Sequence, residues 1–172
     1  MNSATVKTDT GKKKKSSAQT APVNSRRETR EAVLKVLYAH EYTQDNIYAI
    51  IDDLCDNFTD EAMAMIRQLA SACIRYEKDL DAQIRQLAKN WSFERIAVID
   101  RLLIRMGLCE LMHFEEIPVK VTISEIIAIA KRFSTSKSGS FINGILDKAA
   151  KDLQANGTIR KKGLGLIDKP PK

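Results

Sequence analysis

Apolar residues along this chain recur at steps of three and four, and no segment alternates with a period of two. Within Ser25–Tyr42, Val33, Val36, Leu37 and His40 line one stripe of a helix, and Arg26 and Arg30 continue that stripe towards its start. Ser25 followed by Glu28 makes a capping box: the serine hydroxyl accepts from the Glu28 amide, and the Glu28 carboxylate reaches back. Arg26 and Arg27 then fall in a first turn where the helix dipole prefers anions, at a cost of roughly a few tenths of a kcal/mol each. An unpaired arginine cannot extend a dry core. The first two turns are therefore expected to overhang the bundle and face something anionic. The plainer alternative is a solvated, snorkelling arginine end.

Ile47, Ile50, Ile51 and Leu54 predict a short second helix after Thr43–Asn46. Thr59 or Asp60 can cap the next, which runs from about Glu61 to Lys89. In it Ile66, Leu69, Cys73, Tyr76, Leu80, Ile84 and Leu87 form a seam for antiparallel packing. No glycine or proline decides between one long helix and two joined at a kink. After Asn90–Trp91–Ser92, with Ser92 as a cap, the most apolar segment spans Phe93–Phe114 and is expected at the centre of the core. Asp100, Arg101, Arg105 and Glu110 interrupt it, and either arginine can pair with a carboxylate of a neighbouring helix. Pro118 ends that helix region. A further helix is expected from about Val121 to Phe133, then a loop over Ser134–Ser140, then a last helix from about Phe141 to Leu153. The fold class is all-α: a compact bundle of six or seven helices without internal repeats.

Charge divides the chain. Residues 1–30 carry eight Lys/Arg against two Asp/Glu, residues 154–172 five against one, and residues 31–153 fifteen against nineteen. A mildly acidic body with basic ends suggests polyanion contact through the ends and the surface beside them. Residues 1–24 are rich in Lys, Ser, Thr and Ala and are expected to be disordered, and residues 154–172 to be a frayed basic tail. Residues 25–153 form the folded domain. The acidic stretch Glu41–Glu61 suits either a solvated face or a docking surface for a basic protein. No apolar run is long enough for a membrane span and no secretory signal is evident. Cys55, Cys73 and Cys109, far apart and without CxxC spacing, read as reduced, packed thiols of a cytoplasmic protein.

No enzyme constellation appears. P-loop, GxGxxG, HExxH and GxSxG patterns are missing, His40 and His113 stand far apart, and the cysteines lack metal spacing, so neither a cofactor nor a metal is expected. Anion binding remains. The Ser134–Ser140 loop leads into a helix N-terminus, where free amides and the dipole favour a phosphate. There Ser138 or Ser140 can cap, Lys137 adds charge, and Phe141 can either stack on an unpaired base or pack in the core. With the arginine end of the first helix, this loop suggests RNA.

These residues also carry a resemblance. Arg26-Arg27-x-x-Arg30-Glu31 leading to Leu37-Tyr38-x-x-Glu41 resembles the N-terminal signature of the NusB family. Asp100-Arg101-x-x-x-Arg105 with Glu110-Leu111, then Ile117-Pro118-x-Lys120-Val121, is similar as well. Ser124-Glu125 through Ala130-Lys131 and Phe141-Ile142-Asn143-Gly144-Ile145-Leu146-Asp147 complete the ordered set. The resemblance implies two packed helical subdomains and a transcription antitermination factor that pairs with the ribosomal protein NusE. It implies binding to boxA RNA of nascent ribosomal RNA transcripts and read-through within an RNA polymerase antitermination complex. Residue by residue, it implies RNA contact by Arg26, Arg27 and Arg30, approach to RNA by the loop with Lys137, Ser138 and Phe141, and a NusE contact near Asp100. Homodimers through the RNA surface occur in some relatives.

The chain also departs from the family pattern. Glu28 interrupts the arginine cluster, Lys137 stands where some relatives are acidic or neutral, and both basic tails are additions. Two competing readings predict different behaviour. A module like the front of ribosomal RNA cytosine methyltransferases needs a cofactor-binding α/β domain after Leu153, where 19 residues follow. A protein-interaction adaptor without RNA binding predicts that the three arginines are replaceable.

Overall fold

The computed structural model describes residues 24–166, so the expected N-terminal tail lies outside the described residues except for Asn24. Helix α1 (Arg26–Thr43) begins on the expected capping box: the Glu28 amide donates to Ser25 Oγ at 3.1 Å, and the Ser25 amide donates to Glu28 Oε2 at 2.7 Å. It ends at Gln44, whose positive φ of 58° closes the helix while its amide donates to the His40 carbonyl. Helix α2 (Ile47–Leu54) is capped by Asn46 and α3 (Asp60–Arg75) by the Thr59 hydroxyl. The long seam is two helices, α3 and α4 (Glu77–Leu87), sharing Tyr76 as their junction. No glycine or proline makes this break. Tyr76 leaves helical geometry while its ring stacks flat on His113, with centroids 4.1 Å apart, and both halves of the seam pack on the same helix.

That helix is α5 (Val98–His113), and the core is organised around it. It touches α1, α3, α4, α6 (Val119–Phe133) and α7 (Ser138–Ala155). Helices α1, α2 and α3 pack as one group and α4 to α7 as another, joined chiefly through α5, which is the two-subdomain arrangement. Leu102, Leu103, Ile104, Met106, Leu108, Cys109 and Leu111 are fully buried along it. Gly107 lets α7 come close: a Cβ there would lie 2.8 Å from the Leu146 methyls.

Several boundaries differ from the sequence expectation. Phe93–Arg95 is a single 3-10 turn, and α5 starts five residues later than expected, because Ile96 turns extended to bury its side chain. The last helix begins at Ser138 rather than Phe141, since hydroxyls of the preceding loop are gathered onto Asp100. The segment after α7 is not frayed over the described residues. It folds back against the end of α5, with Lys161 and Lys162 bonded there and a short 3-10 turn at Gly163–Leu166. All three cysteines are free and buried. No described helix is long and apolar enough to cross a membrane.

Candidate nucleic-acid interface

The arginines at the start of α1 divide into two kinds. Arg26 and Arg27 are exposed, and each is steadied by a carboxylate from another helix. Arg26 Nη2 donates to Glu61 Oε1 of α3 at 2.8 Å. Arg27 Nε and Nη2 grip the two oxygens of Glu125 on α6 at 2.9 and 2.8 Å. This fork holds the Glu125 carboxyl below its ordinary range and raises the guanidinium. The Arg26 pair is exposed on both sides and weak, and the Arg27 guanidinium, though forked onto a partly buried Glu125, is itself half exposed, so both cations stay available to a polyanion that offers better geometry.

Arg30 is different. Its side chain is 2% exposed, and Nε and Nη2 donate to Glu110 Oε1 and Oε2 at 2.7 and 3.1 Å. Thr122 Oγ1 donates to the same carboxylate at 2.9 Å, and Arg30 Nη1 reaches back to the Arg26 carbonyl at 3.2 Å. The expectation that Arg30 overhangs the bundle and touches RNA is therefore corrected. The anion it faces is Glu110, inside the protein. Burying either charge alone is prohibitive, and two further hydrogen bonds, from Thr122 and to the Arg26 carbonyl, complete the pair. One face of this end thus presents Arg26 and Arg27 to solvent, and the other is a buried clamp formed by Arg30 and Glu110.

The second expected contact region is similarly split. Lys137 is exposed at the start of α7. Ser138 is buried, and its hydroxyl donates to Asp100 Oδ2 at 2.7 Å, while Ser134 Oγ donates to Asp100 Oδ1 at 2.6 Å. Ser138 and Asp100 together tie the loop before α7 to the first turn of α5, so both hold the loop from inside. No side-chain cap closes the α7 N-terminus. Phe141 is half-buried, and its ring meets Trp91 at 5.3 Å. Trp91 itself is 61% exposed. Sequence reasoning passed over Trp91 as part of an interruption, although a large exposed aromatic beside a basic loop is itself a signal for stacking. It also missed the carboxylates that aim the arginines. Glu110, an acid in the most apolar helix, was the available clue for Arg30. Nothing comparable marked Glu61 or Glu125.

Acidic residues hold the remaining arginines of α5. Arg101 Nη2 donates to Glu41 at 2.6 Å, and Arg105 forks onto Asp81 at 2.6 and 2.8 Å and pairs with Glu77 at 2.9 Å. The expected inter-helix pairing of both arginines is present. Part of the acidic stretch is accordingly consumed internally: Glu41 serves Arg101 and Arg105, Asp52 serves Arg67, and Glu61 serves Arg26. Among the described residues no cluster of metal-ligating side chains occurs.

A two-lobed all-helical protein with a clamped, arginine-bearing helix end defines the class. The chain belongs to the NusB family, which it matches over residues 27–151. It is 40% identical over 148 residues to the transcription antitermination protein NusB of Salinibacter ruber, covering 84% of this chain and 92% of that one. It is 37% identical over 151 residues to the protein of the same name from Chloroherpeton thalassium, covering 86% and 72%. Among solved structures, NusB of T. maritima superposes with a TM-score of 0.72 at 34% identity, covering 76% of this chain and 94% of that one. The fold is shared with a crystal structure of antitermination factors NusB and NusE in complex with dsRNA, at a TM-score of 0.66 and 21% identity, covering 74% and 96%.

Proposed function

We propose that this chain is a transcription antitermination factor that binds boxA RNA of nascent ribosomal RNA transcripts together with NusE. It promotes read-through by RNA polymerase as part of an antitermination complex, and acts in the cytoplasm. Family membership supports the activity, and the relative solved with NusE and dsRNA supports the choice of partners. The observation that carries the reading is the geometry of α1: two solvent-facing arginines, Arg26 and Arg27, available at a helix end that the buried Arg30–Glu110 pair anchors beneath them. Guanidinium forks suit phosphate oxygens, and phosphate contacts made from an anchored helix end set register on the RNA. Lys137 adds charge beside the Phe141–Trp91 pair, which offers a stacking surface to an unpaired base. The RNA-binding domain comprises residues 25–153, and the basic segment that precedes it adds nonspecific attraction.

Fluorescence anisotropy of a boxA RNA titrated with the protein, with and without NusE and against a scrambled RNA at fixed salt, tests this. Tighter binding with NusE and rejection of the scramble are expected. Equal, weak and salt-sensitive binding to both RNAs, unmoved by NusE, would point instead to an adaptor with sticky ends. Self-association through the arginine face would compete with RNA, so light scattering along the same titration should show any dimer dissolving as RNA is added.

A further inference from the structure

The segment after α7 is built as a brace. Gly157, at a φ of 65°, turns the chain, and the Thr158 amide donates to the Leu153 carbonyl at 2.9 Å. Lys161 then sets its ammonium 3.1 Å from the Glu110 carbonyl and 2.8 Å from the Phe114 carbonyl. Those are carbonyls of the α5 C-terminal end, where the dipole favours a cation. The Lys162 amide donates to the Glu115 carbonyl at 2.9 Å and its ammonium pairs with the Glu115 carboxylate at 2.6 Å. Gly165 is buried so close to Glu115 that a Cβ there would overlap the Glu115 carbonyl oxygen.

What this brace holds is the α5–α6 turn, and the groups that orient the α1 arginines stand on both sides of it. Before the turn is Glu110, whose carbonyl meets Lys161 and whose carboxylate grips Arg30. After it come Thr122, which donates to Glu110, and Glu125, which grips Arg27. Arg30 in turn donates to the Arg26 carbonyl. Lys162 and Arg26 line one groove of about 500 Å³, so the brace reaches the arginine end itself.

We propose that residues 157–166 are a positioning strap that sets the direction in which Arg26 and Arg27 meet RNA, with Lys161 as its positioning residue. The strap lies beyond the family match, which ends at residue 151, and the proposal rests on the RNA-binding reading above. It acts through geometry and not through its own charge.

Gly165→Ala in the full chain unseats the strap without removing a cation. Lys161→Met, with helicity and thermal unfolding recorded for both variants, removes the cap without steric overlap. Each variant is expected to lose roughly five-fold in boxA affinity, the low end of coupling between sites. For Gly165→Ala the slope of log affinity against log salt stays unchanged, because no phosphate contact is lost. The loss disappears in a chain already carrying Arg26→Ala and Arg27→Ala. Independently of RNA, the Nε–Hε NMR resonances of Arg27 and Arg30 shift in both variants. Unmoved resonances in a chain that still discriminates boxA overturn the strap and leave the RNA reading standing. The same holds if an equal loss persists without the two arginines. Shifted resonances in a wild-type chain that does not discriminate boxA overturn the RNA reading, and the strap's stated role with it.

Discussion

Arg30 and Glu110, eighty residues apart in sequence, form a two-pronged ion pair with side chains 2% and 0% exposed. It joins α1 to α5 beneath the surface that Arg26 and Arg27 present. Breaking such a pair from one side leaves an uncompensated buried charge. Arg30→Ala or Glu110→Ala is therefore expected to cost about 3–5 kcal/mol in urea unfolding. Replacing both by apolar residues of similar size, Arg30→Met with Glu110→Leu, should recover most of that loss. An Arg30→Ala variant that melts like the wild type would show that the pair does not hold the fold.

Arg26 and Arg27 should behave oppositely. Their pairs are exposed, so each alanine variant is expected to change stability by about 0–1 kcal/mol. RNA affinity should fall, and the salt slope should drop by about one for each phosphate contact removed. The measurement is a salt series of anisotropy titrations beside thermal melts. An unchanged slope in the double variant would mean that neither arginine meets a phosphate.

Why does the sequence place the helices and the family yet leave the partners of Arg30, Ser138 and Asp100 hidden? Periodicity reports which face of a helix is buried, and on α1 it put Arg30 on the buried stripe. It does not report the partner. The partner is Glu110, brought opposite by the packing of α1 on α5, a relationship no local pattern encodes. The sequence offers Ser138 as a helix cap, and the family resemblance implies a NusE contact near Asp100. Their mutual hydrogen bond depends on the α6–α7 loop returning to the first turn of α5. The capping box at Ser25 and Glu28 and the Thr59 cap form as expected, whereas Ser92 donates to Glu94 and Ser138 to Asp100 instead of capping. The break at Tyr76 carries no glycine or proline signal, and it coincides with the stacking on His113 and the packing of both halves on α5. The strap escaped notice because two lysines and three glycines compose like a loose tail, while its order comes from carbonyls on α5.

Asp100 yields a prediction about the loop. It accepts from Ser134 and Ser138 and is itself buried. Asp100→Ala leaves those hydroxyls without their acceptor and is expected to cost about 1–3 kcal/mol. Proteolysis within residues 134–137 should rise together with amide exchange at the start of α7. A variant that weakened NusE binding with no change in either readout would restore Asp100 as a direct contact.

His113 supplies a pH dependence with a definite sign. Its ring lies flat on Tyr76 at the junction of α3 and α4, and burial pushes its imidazole below the ordinary value. That ordinary value is about 6.5. As pH falls through it, the unfolded chain takes up a proton that the folded chain still refuses. The unfolded state then binds more protons, so stability drops as pH falls towards the folded value. Above the ordinary value neither state is protonated and this contribution is flat. Melting temperature should therefore decline as pH falls through the ordinary imidazole value of about 6.5. His113→Gln, which cannot titrate, should flatten the decline. An NMR titration of the His113 ring checks the cause directly: a midpoint above that of an unstructured histidine would reverse the sign, and the acid sensitivity would have to come from another group.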